Sequence, residues 1–190
     1  MLGIAGAPGG GKSTIARALV DALGPDTARL VPMDGFHLAQ AELERLGRAD
    51  RKGAPDTFDA NGFAALLRRL RAVEDAVVYA PEFRREIEEP VACALPVPRE
   101  VPLVVTEGNY LLVADGAWAA VRPLLDEAWF VETNQERRVE WLIARHVAFG
   151  KAPEHAREWV LRSDERNAAL VATTRGRADL IVRVDQATRS

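Results

Sequence analysis

The chain has 190 residues, 48% of them hydrophobic and 28% charged, with a formal net charge of −3 and a pI near 5.7. These values describe one soluble globular domain with a sizeable core, and with no basic stripe or Lys/Arg run they argue against a nucleic-acid binder. The single cysteine, Cys93, rules out an internal disulfide and a cysteine-based zinc site; no apolar run reaches transmembrane length and the first residues lack a signal-peptide layout, so no membrane partner and a cytoplasmic location are expected.

Residues 2–5 read as a short buried strand, and Gly6-Ala7-Pro8-Gly9-Gly10-Gly11-Lys12-Ser13 follows it. That stretch fits G-x-x-x-x-G-K-[ST] in full. Phosphates need many N–H donors close together, and glycine lets the backbone curl tightly with no Cβ in the way. Lys12 is placed to reach the β- and γ-phosphates and the Ser13 hydroxyl to hold Mg²⁺. A helix from Ser13 is predicted by the stripe Ile15, Ala16, Leu19, Val20 and Leu23, with Gly24-Pro25 as its stop. Strand, Gly-rich turn and helix N-terminus together make an anion site. The chain is therefore expected to bind ATP with Mg²⁺, with Gly9, Gly10, Gly11, Lys12, Ser13 and Thr14 as the nucleotide contacts. The loop begins only five residues after Met1, a tight lead-in that leaves a trimmed or misassigned start open.

A second strand over 28–33 leads into Asp34-Gly35-Phe36-His37. A carboxylate at a strand end can orient an attacking hydroxyl and take its proton, which makes Asp34 the candidate base; the alternative is a turn-former, since Asp-Gly is a common turn pair. His37 is either a substrate contact or a packing residue. Asp59 is a plausible cap for a helix carrying Phe63, Leu66, Leu67 and Leu70. Residues 47–59 and 79–100, the latter with Pro81, Pro90, Pro96 and Pro98, fit the strand–helix alternation poorly and are expected to be loops covering the substrate. A third strand over 101–106 runs into Glu107-Gly108, the form of a Mg²⁺-site acid beside the phosphate loop.

After a strand over 128–131, a helix is expected with Val139, Leu142, Ile143 and Val147 on its apolar stripe. Arg138 and Arg145, seven apart with Trp141 between them, fall on nearly one face, where they could neutralise charge on a transferred phosphoryl; a solvated surface is the plain alternative. Pro153 starts one long helix or two through Ala156, Trp159, Val160, Leu170 and Val171, with Ser163 and Asn167 as polar residues on that stripe. His146 and His155 do not form a metal pair by spacing. Leu180–Val184 is the last strand. Strands alternating with helices predict an α/β fold with a mainly parallel sheet of roughly five strands covered on both faces.

The order GAPGGGKS, MDGFH, RKGAPDTFD (Arg51 to Asp59), VTEGNYLL, an Arg-containing helix and Arg177-Ala178-Asp179 resembles the P-loop kinases grouped with phosphoribulokinase, uridine kinase and bacterial type I pantothenate kinase. The MDGFH and TEGNYLL forms look closest to the bacterial nucleoside/nucleotide kinase-like, or fructose transport system kinase, branch. The resemblance implies a P-loop NTPase three-layer sandwich in one domain over 1–190, with acceptor-covering segments about 35–100 and a helical lid about 134–165. It implies Asp34 as base, Glu107 as Mg²⁺-site acid, Arg138 and Arg145 on the lid, and Tyr79 toward the substrate; His37 and Arg51 are further candidates for the substrate side by their own position and charge. The segment after Tyr79 and the arginine spacing depart from uridine kinases, so the acceptor does not carry over. A sugar such as fructose or a nucleoside is the expected acceptor. Pantothenate, a nucleotide or a phosphorylated sugar, whose negative charge Arg51, Lys52, Arg84 and Arg85 could meet, and, in a different class, an ATP-binding regulatory switch remain as alternatives. A homodimer is left open, with Trp118 and Trp129 as either interface or core residues.

Overall fold

The computed structural model describes residues 1–184. Five strands, β1 (Leu2–Gly6), β2 (Ala28–Pro32), β5 (Leu103–Gly108), β6 (Glu127–Thr133) and β7 (Leu180–Val184), form one sheet in the order β2-β5-β1-β6-β7. Every pairing in it is parallel. The central strand β1 is buried throughout, as a strand covered on both faces must be. Alternate side chains feed two cores. Ile4 packs with Ala16, Val105 and Val131 under α1 (Lys12–Leu23), while Ala5 packs with Phe63, Leu67, Tyr110 and Phe130 on the opposite face. That second face is covered by α3 (Ala60–Ala72) and α6 (Glu165–Ala172). The result is the three-layer α/β sandwich of P-loop NTPases.

Local signals behave as chemistry dictates. The Asp59 carboxylate accepts from the Gly62 amide at 2.8 Å and caps α3. Gly24 ends α1 at φ 79°. The stripe on α1 is covered as far as Val20, but Leu23, its last residue, is exposed. Trp118 is buried in the core and Trp129 is half-buried.

Two expectations need correction. Residues 79–100 are not an irregular loop. They lie in an antiparallel hairpin of β3 (Val77–Arg84) and β4 (Glu89–Pro98). Its inner residues Val78, Ala80 and Val97 pack on Val31 and Leu66. Four prolines obscure it in the sequence because proline cannot donate to a ladder, yet a two-stranded sheet has free edges where proline is tolerated. The register shifts between Ala80 and Glu82, opposite a stretch where Cys93 has φ 55°. The second correction concerns α4 (Gln135–Ala148): its buried positions are Arg138 and Leu142, and Val147 is exposed.

After α4, α5 (Pro153–Trp159) runs through one π-helical segment, Val160–Asp164, directly into α6. Of the one long helix or two expected from Pro153 onward, the structure has one rod with an inserted π turn, a feature common at functional sites. Residues 47–59 are irregular but held in place. The Gly53 carbonyl accepts from the Tyr110 hydroxyl at 2.5 Å and from Asn167 Nδ2 at 3.3 Å, and the Pro55 carbonyl accepts from Trp118 Nε1 at 3.1 Å. A short helix, α2 (Gln40–Arg45), precedes them. No helix among the described residues is long and apolar enough to cross a membrane.

Candidate active site

The carboxyl ends of the parallel strands open into a cleft of about 920 Å³, the place where sheets of this kind bind ligands. Its floor is the loop between β1 and α1. Gly9 and Gly11 take φ 72° and 87°, a backbone conformation costly for any residue with a Cβ. A Cβ on Gly9 would also lie 2.5 Å from Leu142 Cγ on α4. Thr133 at the end of β6 ties the loop from below, its hydroxyl donating to the Gly10 carbonyl at 2.7 Å. The first-turn amides of Lys12, Ser13 and Thr14 have no helical acceptor, and among the described residues no side chain caps the start of α1.

Lys12 is buried, and its ammonium donates to the Ala7 carbonyl at 2.9 Å and to Asn109 Oδ1 at 2.8 Å. Burial pulls its pKa down to about 8, against the opposing pull of the Glu107 and Asp34 carboxylates. Ser13 Oγ donates to Glu107 Oε1 at 2.7 Å. Glu107 sits at the end of β5, in register with Ile4 of β1 and Pro32 of β2. Burial, then the charge of Asp34, raises its pKa above the ordinary carboxylate value, and Lys12 works the other way.

Asp34 lies on a single 3-10 turn, Met33–Phe36, after β2. Its carboxylate meets Arg85 Nη2 at 3.4 Å. His37 donates from Nδ1 to the Asp34 carbonyl at 2.8 Å, the only polarity a carbonyl allows, and its ring lies 4.0 Å from Phe58 and 4.7 Å from Phe83. Burial lowers the His37 pKa, although Asp34 pulls it up.

The two lid arginines part company. Arg145 lines the cleft, where burial and then the charge of Arg85 lower its pKa. Arg138 points beneath the phosphate loop, donating to the Pro8 carbonyl at 3.3 Å and pairing with Glu165 of α6. Arg51 faces away from the cleft and pairs with Asp56 at 2.9 Å. Tyr79 is 52% exposed on the outer face of β3, because the alternation that buries Val78 and Ala80 turns it outward. Neither Arg51 nor Tyr79 lines the cleft; their neighbours Lys52, Phe83 and Arg85 do.

Asn109, Phe83 and Phe149 join the cleft without a motif of their own to mark them, and His146 meets Asp164 at 3.1 Å across the lid, a pair that no sequence spacing announces. Asn109 directly follows the Glu107-Gly108 pair, and its amide bears on Lys12. That position was the available signal.

The donor set fits Mg²⁺ with a nucleoside triphosphate. Uncapped amides surround a buried ammonium, and beside them a hydroxyl and a carboxylate sit in contact, the hard oxygen ligands Mg²⁺ takes. The comparisons agree. The chain is 31% identical to a protein of Schizosaccharomyces pombe named as a candidate uridine kinase, covering 96% of this chain and 82% of that one. It is 35% identical to the pantothenate kinase of Clavibacter sepedonicus, over 93% of this chain and 57% of that protein. A crystal structure from Silicibacter sp. TM1040, named as a candidate fructose transport system kinase, superposes with a TM-score of 0.86 at 34% identity, covering 95% of this chain and 88% of that one. Residues 1–189 match the model of the Phosphoribulokinase / Uridine kinase family; with fold, loop and cleft in accord along the same span, the chain belongs to that family of small-molecule kinases.

Proposed function

We propose that the chain transfers the γ-phosphate of ATP to a hydroxyl of a small metabolite, a sugar or nucleoside in the first instance. The observation that carries this reading is the convergence of Lys12, the Ser13–Glu107 pair and Asp34 in one cleft. The amides of Gly9 to Ser13, with Lys12, hold the phosphates, Thr14 adding its amide at the edge. Ser13 and Glu107 would hold Mg²⁺, which when bound supplies charge neutralisation across the phosphates. Asp34 orients the acceptor hydroxyl and takes its proton as the oxygen bonds to the γ-phosphorus and ADP departs with the bridging oxygen. Arg145 faces the transferring group from the lid, and Arg138 supports the loop from behind. His37, a single-donor ring fixed between two phenylalanines, shapes the acceptor side. The names of the relatives diverge in acceptor, so the acceptor rests on the pocket itself.

Measuring ADP release with Mg²⁺-ATP across hexoses, pentoses, nucleosides and hydroxy acids tests the proposal. Asp34→Asn is expected to leave ATP affinity nearly intact and to lower acceptor-dependent turnover by ~100-fold or more. Wild-type turnover in that variant would remove Asp34 as the base.

A further inference from the structure

The wall of the cleft opposite the phosphate loop is built by the hairpin end and by residues 47–59, and it holds two cations that the chemistry above does not use. Lys52 donates to the Glu88 main-chain carbonyl at 2.7 Å and to Gln40 Oε1 at 3.3 Å. Both partners are neutral oxygens, so the hydrogen bonds fix the ammonium without neutralising it. Arg85 meets one carboxylate, Asp34, through a single nitrogen at the long distance of 3.4 Å. The two cations lie against one ring: Lys52 Nζ is 5.5 Å and the Arg85 guanidinium carbon 5.8 Å from the centre of Phe83. Arg85 is also 5.9 Å from the ring of Phe149, just after α4. Both residues are half-buried. Two further acids lie at this wall: exposed Glu88 contributes its main-chain oxygen to Lys52, and the Glu89 carboxylate is taken up by the Gln40 amide at 3.0 and 3.2 Å, with neither carboxylate among the ion pairs of Lys52 or Arg85 among the described residues.

Holding two positive charges together against aromatic surface, with donors to spare, costs solvation that neutral hydroxyls return poorly. A negative group returns it well. That group cannot occupy the place of the attacking hydroxyl, because Asp34 would repel it. It has to sit on the far side of the acceptor, toward Phe83.

We propose that the acceptor is an anionic hydroxy compound whose carboxylate or phosphate is held by Lys52 and Arg85 beside Phe83 while its hydroxyl meets Asp34. This rests on the kinase reading and replaces its neutral sugar or nucleoside by a charged acceptor. A nucleoside or free sugar fills the hydroxyl position but leaves both cations unmatched. A sugar acid or sugar phosphate fills both.

The test uses the full chain with Mg²⁺-ATP and matched acceptors that differ only in charge or nearly so: glycerol, glycerate and glycerol 3-phosphate; fructose, gluconate and fructose 6-phosphate; and uridine as a neutral nucleoside. The anionic members are expected to exceed their neutral counterparts in kcat/KM by roughly 10–100-fold, the range of a charge-assisted contact. The carboxylate and phosphate arms decide which anion it is. For the preferred anion, Lys52→Met is expected to raise KM about 10-fold or more with a smaller change in kcat, and Lys52→Arg to restore most of the loss. A merely structural lysine would not discriminate acceptors by charge. A neutral acceptor preferred over its anionic partners, with a KM indifferent to Lys52→Met, overturns the anion site and leaves the kinase reading standing. Silence from neutral and anionic acceptors alike overturns both. If Lys52→Met does not fold, the wild-type ladder of acceptors decides alone.

Discussion

Consider Arg138→Met and Arg145→Met, two substitutions that remove the same charge seven residues apart on one helix. Arg138 is 5% exposed and joins Glu165 to the Pro8 carbonyl, clamping α4 and α6 to the phosphate loop. Removing one partner of a fully buried ion pair costs about 3–5 kcal/mol. The Glu165 side chain keeps 22% of its exposure and accepts from Gln135 Nε2 at 3.1 Å, so water and Gln135 recover part of that, and methionine refills the space of the aliphatic stem. A loss of ~2–3 kcal/mol is expected, which lowers Tm by ~5–10 °C in a domain of this size. Arg145 is different. Among the described residues it has no ion pair within 4.0 Å, and burial and Arg85 both disfavour its charge. Arg145→Met should therefore hold Tm within ~2 °C of wild type or raise it, while turnover falls ~100-fold or more if the guanidinium stabilises charge on the transferred group. Scanning calorimetry on each variant, with ADP release assayed well below the lower Tm, separates the two effects. The reasoning fails if Arg145→Met is the less stable variant, or if Arg138→Met keeps its Tm and loses as much turnover as Arg145→Met.

Other expectations follow from single contacts. In Gly9→Ala, φ 72° and a Cβ 2.5 Å from Leu142 Cγ leave the loop or α4 no choice but to move. Nucleotide affinity should fall ~10-fold or more and Tm by several degrees, as costs of ~1–3 kcal/mol imply; titration of ATP into the variant checks it, and wild-type affinity would show that the loop is not held by that packing. His37 should titrate below its ordinary value, because burial between Phe58 and Phe83 outweighs the pull of Asp34. The sign follows directly: below pH ~6.5 the unfolded chain binds a proton that folded His37 refuses, so stability declines as pH falls from there toward the folded pKa. NMR titration of the ring reads the midpoint, and a value at or above 6.5 would contradict the burial argument. His37→Phe should lose less stability than wild type between pH 7 and 5.

Much of this architecture is legible in the residues, and where it is not, the reason is physical. The phosphate loop, Asp34 and Glu107 are local signals: each needs only a strand, a turn and one side chain at a strand end, and the parallel sheet brings such ends together without further information. Arg138 and Arg145 show the limit of that reasoning. Their spacing puts them near one face, yet the helix turns Arg138 and Leu142 inward, and which arginine lies under the loop and which lies in the cleft depends on a partner, Glu165, that is distant in sequence. Tyr79, Phe83 and Arg85 show the same limit in a strand. An unbroken period of two would put all three on one face, yet Tyr79 is exposed while Phe83 and Arg85 line the cleft; the register shift between Ala80 and Glu82 lies between them and Arg85 follows the end of β3, neither of which is visible until the pairing with β4 is seen. Lys52 is legible as one of four cations, with Arg51, Arg84 and Arg85, that could meet an anionic acceptor, but the sequence does not tell which of the four line the cleft: Lys52 and Arg85 do. The position of Lys52 beside Phe83 requires residues 47–59 to be pinned by Tyr110, Trp118 and Asn167, three side chains from separate parts of the chain. In the proposed function the nucleotide half of the cleft is written in short contiguous motifs, because a phosphate chain is met by local backbone amides. The acceptor half is assembled from a loop, a hairpin and a lid, so its chemistry emerges only once those three elements are folded against one another.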